Sequence, residues 1–143
     1  MDAVKDFGFK VVTGLHKVVF RVSKGRFLGR GFGMPVLELV TTGRKSGARR
    51  TTMLTTPVHD NERVVLVASK GGDDRHPAWF LNLRDDPAVE LTMGGTTRSM
   101  TARIATDGEK SELWPEIVES YKGYDQYQNR TDRDIPIVIC EQH

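Results

Sequence analysis

A single cysteine, Cys140, leaves this chain no internal disulfide and no thiolate metal cluster. Apolar runs are short, and stretches such as Val64-Val65-Leu66-Val67-Ala68 fall far below the roughly 20 residues of a membrane-spanning helix. Acids at Asp2 and Asp6 and the lack of an apolar h-region argue against a secretory signal, so a cytoplasmic product is expected. His16, His59, His76 and His143 stand apart from one another and from carboxylates at ligand spacing, which points away from a metal site. There is no Gly-x-Ser-x-Gly elbow and no phosphate loop in a strand-to-helix context, and Gly29-x-Gly31-x-Gly33 reads only as a glycine-rich linker. Cys140 has no neighbouring His to activate it and reads as a buried strand residue. An enzyme built from these residues takes its reactivity from a cofactor and supplies orientation and electrostatics.

What is present is the composition of one ordinary globular domain, 38% apolar and 28% charged over 143 residues. The net charge of +2 conceals an asymmetry: residues 1–50 carry 11 Lys/Arg against 3 Asp/Glu, a local +8, and residues 51–143 carry −6. The basic half calls for an anion, and nucleic acid, an anionic lipid surface and a phosphorylated cofactor all qualify on charge alone.

Val4, Phe7, Val11, Leu15, Val18 and Val22 form a stripe less than about 90° wide on a helix, with Lys10, Lys17, Arg21 and Lys24 opposite. Such a helix either packs on the domain or lies on a membrane surface, so residues 1–30 carry a peripheral membrane contact as an open reading. Residues 25–35 read as a linker, which divides the chain into 1–35 and a domain of 36–143. Alternating β-branched segments Val36–Thr42 and Thr51–Val58 flank Gly43-Arg44-Lys45-Ser46-Gly47, a hairpin with a basic tip. Val64–Ala68 suits a strand buried on both faces, and Pro77 opens a short helix through Trp79 and Leu83. Gly94-Gly95 joins strands Ala88–Met93 and Thr96–Ala105 as a tight hairpin. Thr106 to Glu109 matches a capping box and starts a helix toward Tyr121, kinked or restarted at Pro115, before a last strand Ile135–Cys140. Short antiparallel connections with few helices predict an α+β fold, mainly β with flanking helices: an antiparallel, Greek-key-like barrel with an N-terminal amphipathic helix.

Arg44, Lys45 and Arg50 lie around the hairpin tip, and Lys70 follows the third strand; if that strand neighbours the hairpin, four cations face one groove. As an ordinary solvated turn the cluster contributes little, because exposed ion pairs contribute only about 0–1 kcal/mol. A polyanionic ligand gains more from it. Tyr121, Tyr124 and Tyr127 recur at every third position, either as core packing or as a lid that stacks on an aromatic ligand and donates a proton. Trp79 carries the same two readings, and Asn82, one turn on, suits a hydrogen bond to a ligand edge.

The ordered strings Leu39-Val40-Thr41-Thr42-Gly43-Arg44-Lys45-Ser46-Gly47, Ala68-Ser69-Lys70-Gly71-Gly72, Pro77-Ala78-Trp79-Phe80-Leu81-Asn82-Leu83 and Ile135-Pro136-Ile137-Val138 resemble the deazaflavin-dependent nitroreductase family of actinobacteria, over about residues 36–141. The resemblance implies a split β-barrel that uses reduced coenzyme F-420, an 8-hydroxy-5-deazaflavin with an oligoglutamate tail, for hydride transfer. It implies that Arg44, Lys45, Arg50 and Lys70 meet the phosphate and tail, and that Ser69, Trp79 and Asn82 line the ring, with backbone contacts near Thr52, Met53, Val67 and Ala78. Tyr121, Tyr124 and Tyr127 resemble the family's mobile substrate wall, and Tyr124 or Ser69, or water, would supply the proton. The implied partners are small electron-poor acceptors, namely α,β-unsaturated lactones such as coumarins, quinones and nitro compounds, with no nucleic acid, for a monomer or weak homodimer. Thr52-Met53 and Thr55 stand where some members have Asn-Pro and an aromatic, and His76 stands where Asn is common, which favours conjugated alkenes over nitroimidazoles. Two other readings remain: a flavin mononucleotide oxidoreductase of the same barrel class, and a nucleic-acid-binding barrel. The second is disfavoured because the aromatics lie mostly in the acidic half.

Overall fold

The computed structural model describes residues 30, 31 and 33–142. The amphipathic helix expected at residues 4–22 lies outside them, as does most of the segment 25–35. The end of that segment is strand and not linker: β1 (Arg30–Gly31) pairs with the first residues of β2 (Met34–Thr42). Pro35 fits at the start of β2, where it has no N–H to lose to the ladder and its carbonyl accepts from the Thr56 N–H.

The remaining strands are β3 (Arg49–Thr55), β4 (Val58–His59), β5 (Arg63–Val67), β6 (Ala88–Met93), β7 (Thr96–Ile104) and β8 (Ile137–Gln142). The helices are α1 (Ala78–Asp85), α2 (Asp107–Ser120) and α3 (Gly123–Asn129). All pairings are antiparallel, in the order β3-β2-β6-β7-β8-β5-β4, so the chain is α+β as expected. Among the described residues no ladder joins β3 to β4, and the sheet does not close into a barrel. The strand expected over Thr51–Val58 is interrupted at buried Pro57, which cannot donate to a ladder. Its last residues leave β2 and pair with β5 as β4, and the buried Thr56 hydroxyl donates to the carbonyls of Val58 and Val65 across the break.

Residue parity sorts the core onto two faces. Leu37, Leu39, Val64, Leu66, Val89, Leu91, Met100, Ala102, Val138 and Cys140 pack with Trp79, Phe80 and Leu83 of α1. Val65, Val67, Ile137 and Ile139 face the other way, against Leu113, Ile117 and Tyr124 of α2 and α3. β5 is therefore buried on both faces, which accounts for its unbroken apolar run. Gly94 and Gly95 both have positive φ, 60° and 83°, as the two-residue hairpin between β6 and β7 requires. Cys140 is fully buried, and burial raises its thiol to about 12, which leaves it inert.

The α2 capping box forms as expected, with Thr106 and Glu109 exchanging side-chain and backbone bonds. Pro115 does not break the helix: it is exposed, and so is Ser111, whose carbonyl loses its helical N–H partner on a side open to solvent. Glu109 also accepts from Arg103 at 2.7 and 2.8 Å. Chiefly through that bond, and then through the Thr106 N–H, its carboxyl is lowered to about 2. In the window from about 4.5 down to about 2 the unfolded chain binds the proton that the folded chain refuses, so stability falls with pH there. Glu109→Gln is expected to flatten the urea midpoint against pH across that window, and an unchanged slope would remove Glu109 as its source.

Candidate active site

Strand directions bring three segments to one end of the sheet. β2 and β5 run the same way through the chain of antiparallel pairings, so the turn after β2 and the turn after β5 lie at the same end. α1, which begins a few residues beyond the β5 turn, packs its Trp79, Phe80 and Leu83 into the core there.

The β2–β3 turn is closed by Gly43 N–H to Ala48 O at 2.7 Å and Gly47 N–H to Gly43 O at 2.8 Å. Asn82 fastens it to α1: the Arg44 backbone N–H and Nη1 donate to Asn82 Oδ1 at 3.2 and 3.0 Å, and Asn82 Nδ2 donates to Thr41 Oγ1 at 3.2 Å. The ligand-edge residue expected at Asn82 is thus a buried bracket between the basic turn and the helix. Register separates the two arginines that open β3. Arg50 lies opposite Thr41, on the α1 face, and Arg49 lies opposite Thr42, where it pairs with Glu90 at 2.9 Å. Arg44, Lys45 and Arg50 are exposed and Lys70 is half-buried, and among the described residues none of the four is in an ion pair.

Thr52 shares the Arg50 face, and Met53 points to the other, against Val36. Because β3 pairs only with β2, its outer backbone edge is unpaired among the described residues and can offer main-chain contacts. Val67 faces α2 and α3, Ala78 is exposed at the start of α1, and Trp79 is buried. Ser69 is buried and leads into Lys70, Gly71 and Gly72, whose φ values are 46°, 64° and 83°. Gly72 admits no side chain, since a Cβ there would lie 2.9 Å from the Tyr127 carbonyl oxygen.

The three tyrosines do form one cluster, with ring centroids 5.2 to 6.1 Å apart, on the Met53 side of β3. Tyr121 and Tyr127 hydroxyls are 3.1 Å apart and both rings are half-buried. Tyr124 is buried, its hydroxyl 3.4 Å from Thr55 Oγ1 and donating to Met34 Sδ at 3.8 Å. Burial raises the Tyr124 phenol above its ordinary value and lifts Tyr127 to about 12, so both keep their protons at neutral pH. His76 is lowered by desolvation and then by the Arg133 charge, and its ring lies 4.8 Å from that of Phe80.

Arg133 escapes a reading of the sequence, where it stands between Asp132 and Asp134 like part of a solvated charge run. Its guanidinium instead donates to the carbonyls of Ala68, Ser69 and Asp73. Thr55 stands out in the sequence only as a departure from the family pattern, and its contact with the Tyr124 hydroxyl is not legible there, since only the β3 register and the position of α3 bring the two together.

A family model described as F420H(2)-dependent quinone reductase matches residues 14–142. An F420H(2)-dependent quinone reductase of Mycobacterium tuberculosis is 40% identical over 129 residues, 87% of this chain and 86% of its own length. A solved structure of an F420-H2 dependent reductase, FDR-A, superposes with a TM-score of 0.68 at 40% identity, covering 75% of this chain and 94% of the other. A second, described as a domain-swapped dimer, gives a TM-score of 0.69 at 35% identity over 87% of this chain and 98% of its own.

Proposed function

The chain belongs to the F420H(2)-dependent quinone reductase family, and from that premise we propose how its residues divide the work. It is an oxidoreductase that uses coenzyme F-420 to reduce quinone-type acceptors. When bound, the reduced deazaflavin supplies a hydride from a ring carbon. The observation that carries the site assignment is the set Arg44, Lys45, Arg50 and Lys70: cations on separate segments at one end of the sheet, none of them in an ion pair among the described residues. Dispersed single charges suit a phosphate followed by spaced carboxylates better than one compact anion.

On this reading Arg44, Lys45, Arg50 and Lys70 bind the phosphate and oligoglutamate tail. Ser69, Trp79 and Asn82, with the backbone near Thr52, Met53, Val67 and Ala78, would hold the ring. The unclosed sheet goes with a split-barrel interpretation of the fold, and residues 36–143 serve as the coenzyme-binding domain. Tyr121, Tyr124 and Tyr127 form the acceptor wall, where flat rings exclude water and orient a planar quinone over the hydride-bearing face. Quinone reduction needs one proton at an acceptor oxygen, and Tyr124, held protonated by burial, or Ser69 donates it. Conjugated lactones are the second acceptor class, nitro compounds the weakest. The chain acts as a monomer or weak homodimer in the cytoplasm, with residues 1–30 available for a peripheral membrane contact.

The test is to mix the protein with reduced F-420 and menadione, a coumarin and a nitroimidazole in turn, and to follow coenzyme oxidation optically. Turnover in the order quinone, coumarin, nitroimidazole is expected; the absence of both coenzyme binding and turnover with every acceptor would overturn the assignment. Tyr124→Phe keeps the ring contacts and loses only long hydrogen bonds, so its stability should stay within about 1 kcal/mol of the parent. Its kcat with menadione should fall about 100-fold if the phenol is the donor. An unchanged kcat transfers that role to Ser69 or water.

A further inference from the structure

We propose that Arg133 is a positioning residue for the coenzyme site: its guanidinium, spread over the carbonyls at the end of β5, holds Ser69 and Lys70 in their binding geometry. The inference rests on the assignment of Lys70 to the anionic tail made above.

Lys70 needs such support. It has φ 46°, in the left-handed region that side-chain-bearing residues rarely adopt, and it is followed by two more residues of positive φ. The turn supplies two main-chain bonds of its own, Gly72 N–H to Ser69 O at 2.9 Å and Asp73 N–H to Lys70 O at 3.1 Å. Arg133 adds further bonds from outside. Its Nη2 reaches Ser69 O at 2.9 Å and Ala68 O at 3.2 Å, Nη1 reaches Ala68 O at 3.2 Å, and Nε reaches Asp73 O at 2.8 Å. Nη1 also lies 3.2 Å from His76 Nδ1, on the approach to α1. A planar fork with fixed N–H directions can span carbonyls on both sides of the turn, whereas a lysine ammonium offers one point of attachment.

The same stretch of chain grips the loop at neighbouring points. Arg130 Nη1 donates to Gly71 O at 3.3 Å and the Thr131 hydroxyl donates to Asp74 Oδ1 at 2.7 Å. These residues follow α3 directly, so the segment carrying Tyr124 and Tyr127 is tied to the segment carrying Ser69 and Lys70. Arg133 itself turns toward backbone and not toward the flanking Asp132 and Asp134, so its role is to hold main chain.

The experiment is a double-mutant cycle read by titrating F-420 fluorescence. Lys70→Met and Arg133→Gln are each expected to weaken binding about tenfold, and the double variant no more than about threefold beyond the weaker single, because both act on one contact. Arg133→Lys keeps the charge without the fork and should resemble Arg133→Gln. Without coenzyme, hydrogen exchange at the Gly72 and Asp73 amides should accelerate in both Arg133 variants. Additive losses in the cycle, or unchanged exchange at those amides, would overturn the positioning role while leaving the anion site standing. Lys70→Met with unchanged affinity would instead overturn the tail assignment, and with it this inference. Should Arg133→Gln fail to fold, the cycle runs on Arg133→Lys with the same outcomes.

Discussion

Replacing Lys45 and Lys70 together by glutamate is expected to weaken F-420 binding by about 10³-fold while moving Tm by no more than about 2 °C. The two side chains come from different turns and neither is in an ion pair among the described residues, so removing them breaks no ion pair of the folded chain. An exposed substitution such as Lys45→Glu usually changes stability by less than about 0.5 kcal/mol, and Lys70→Glu, at a half-buried position, gives up an attraction for Asp73 that is not an ion pair. Against a bound polyanion each lost charge-assisted bond costs about 1.5–3 kcal/mol, and the reversed charge adds repulsion that solvent partly screens. Added salt should weaken the parent and leave the variant nearly flat, which separates an electrostatic seat from a general defect. Isothermal titration at two salt concentrations with a parallel melting curve measures both quantities. A loss smaller than about threefold would place the tail elsewhere.

Local chemistry was the legible part of this chain. The capping box at Thr106 and Glu109, the Gly94-Gly95 hairpin and the two-faced apolar run of β5 each depend on residues adjacent in sequence, and each appears where expected. Pro57 carried a readable warning that the strand from Thr51 would break, yet its outcome, a switch of Val58 and His59 onto β5, depends on a partner strand that local sequence does not name. The site divides in the same manner. That Arg44, Lys45 and Arg50 lie around one turn follows from chain proximity, and Lys70 joins that end of the sheet only through the directions of intervening strands. Arg49 and Arg50 look alike in sequence, and strand parity alone sends one to Glu90 and the other to the α1 face. Arg133 was invisible because its partners are carbonyls, which every residue possesses and no sequence pattern marks.

Asn82 is where stability and binding come apart. Its amide is buried, its oxygen accepting twice from Arg44 and its nitrogen donating to Thr41. Asn82→Leu fits the space but leaves the Arg44 N–H and the Thr41 hydroxyl without their partner, each costing about 1–3 kcal/mol. A total of about 2–6 kcal/mol corresponds to a fall in Tm on the order of 10 °C, and the basic turn loses its fastening to α1. Asn82→Asp behaves differently. The carboxylate still accepts from Arg44, now as a charge-assisted bond, and the Thr41 hydroxyl can rotate to donate to it, so the melting temperature should stay within about 3 °C of the parent. The same substitution sets a negative charge beside Arg44 and offsets one of the cations offered to the coenzyme, so F-420 affinity should drop at least about tenfold. A bracket with no part in electrostatics would give two variants that rank alike in stability and in binding. Opposite rankings, with leucine worse for melting and aspartate clearly impaired in binding despite a native melt, are the expected result. Parent-like affinity for Asn82→Asp would mean that the anion does not approach Arg44.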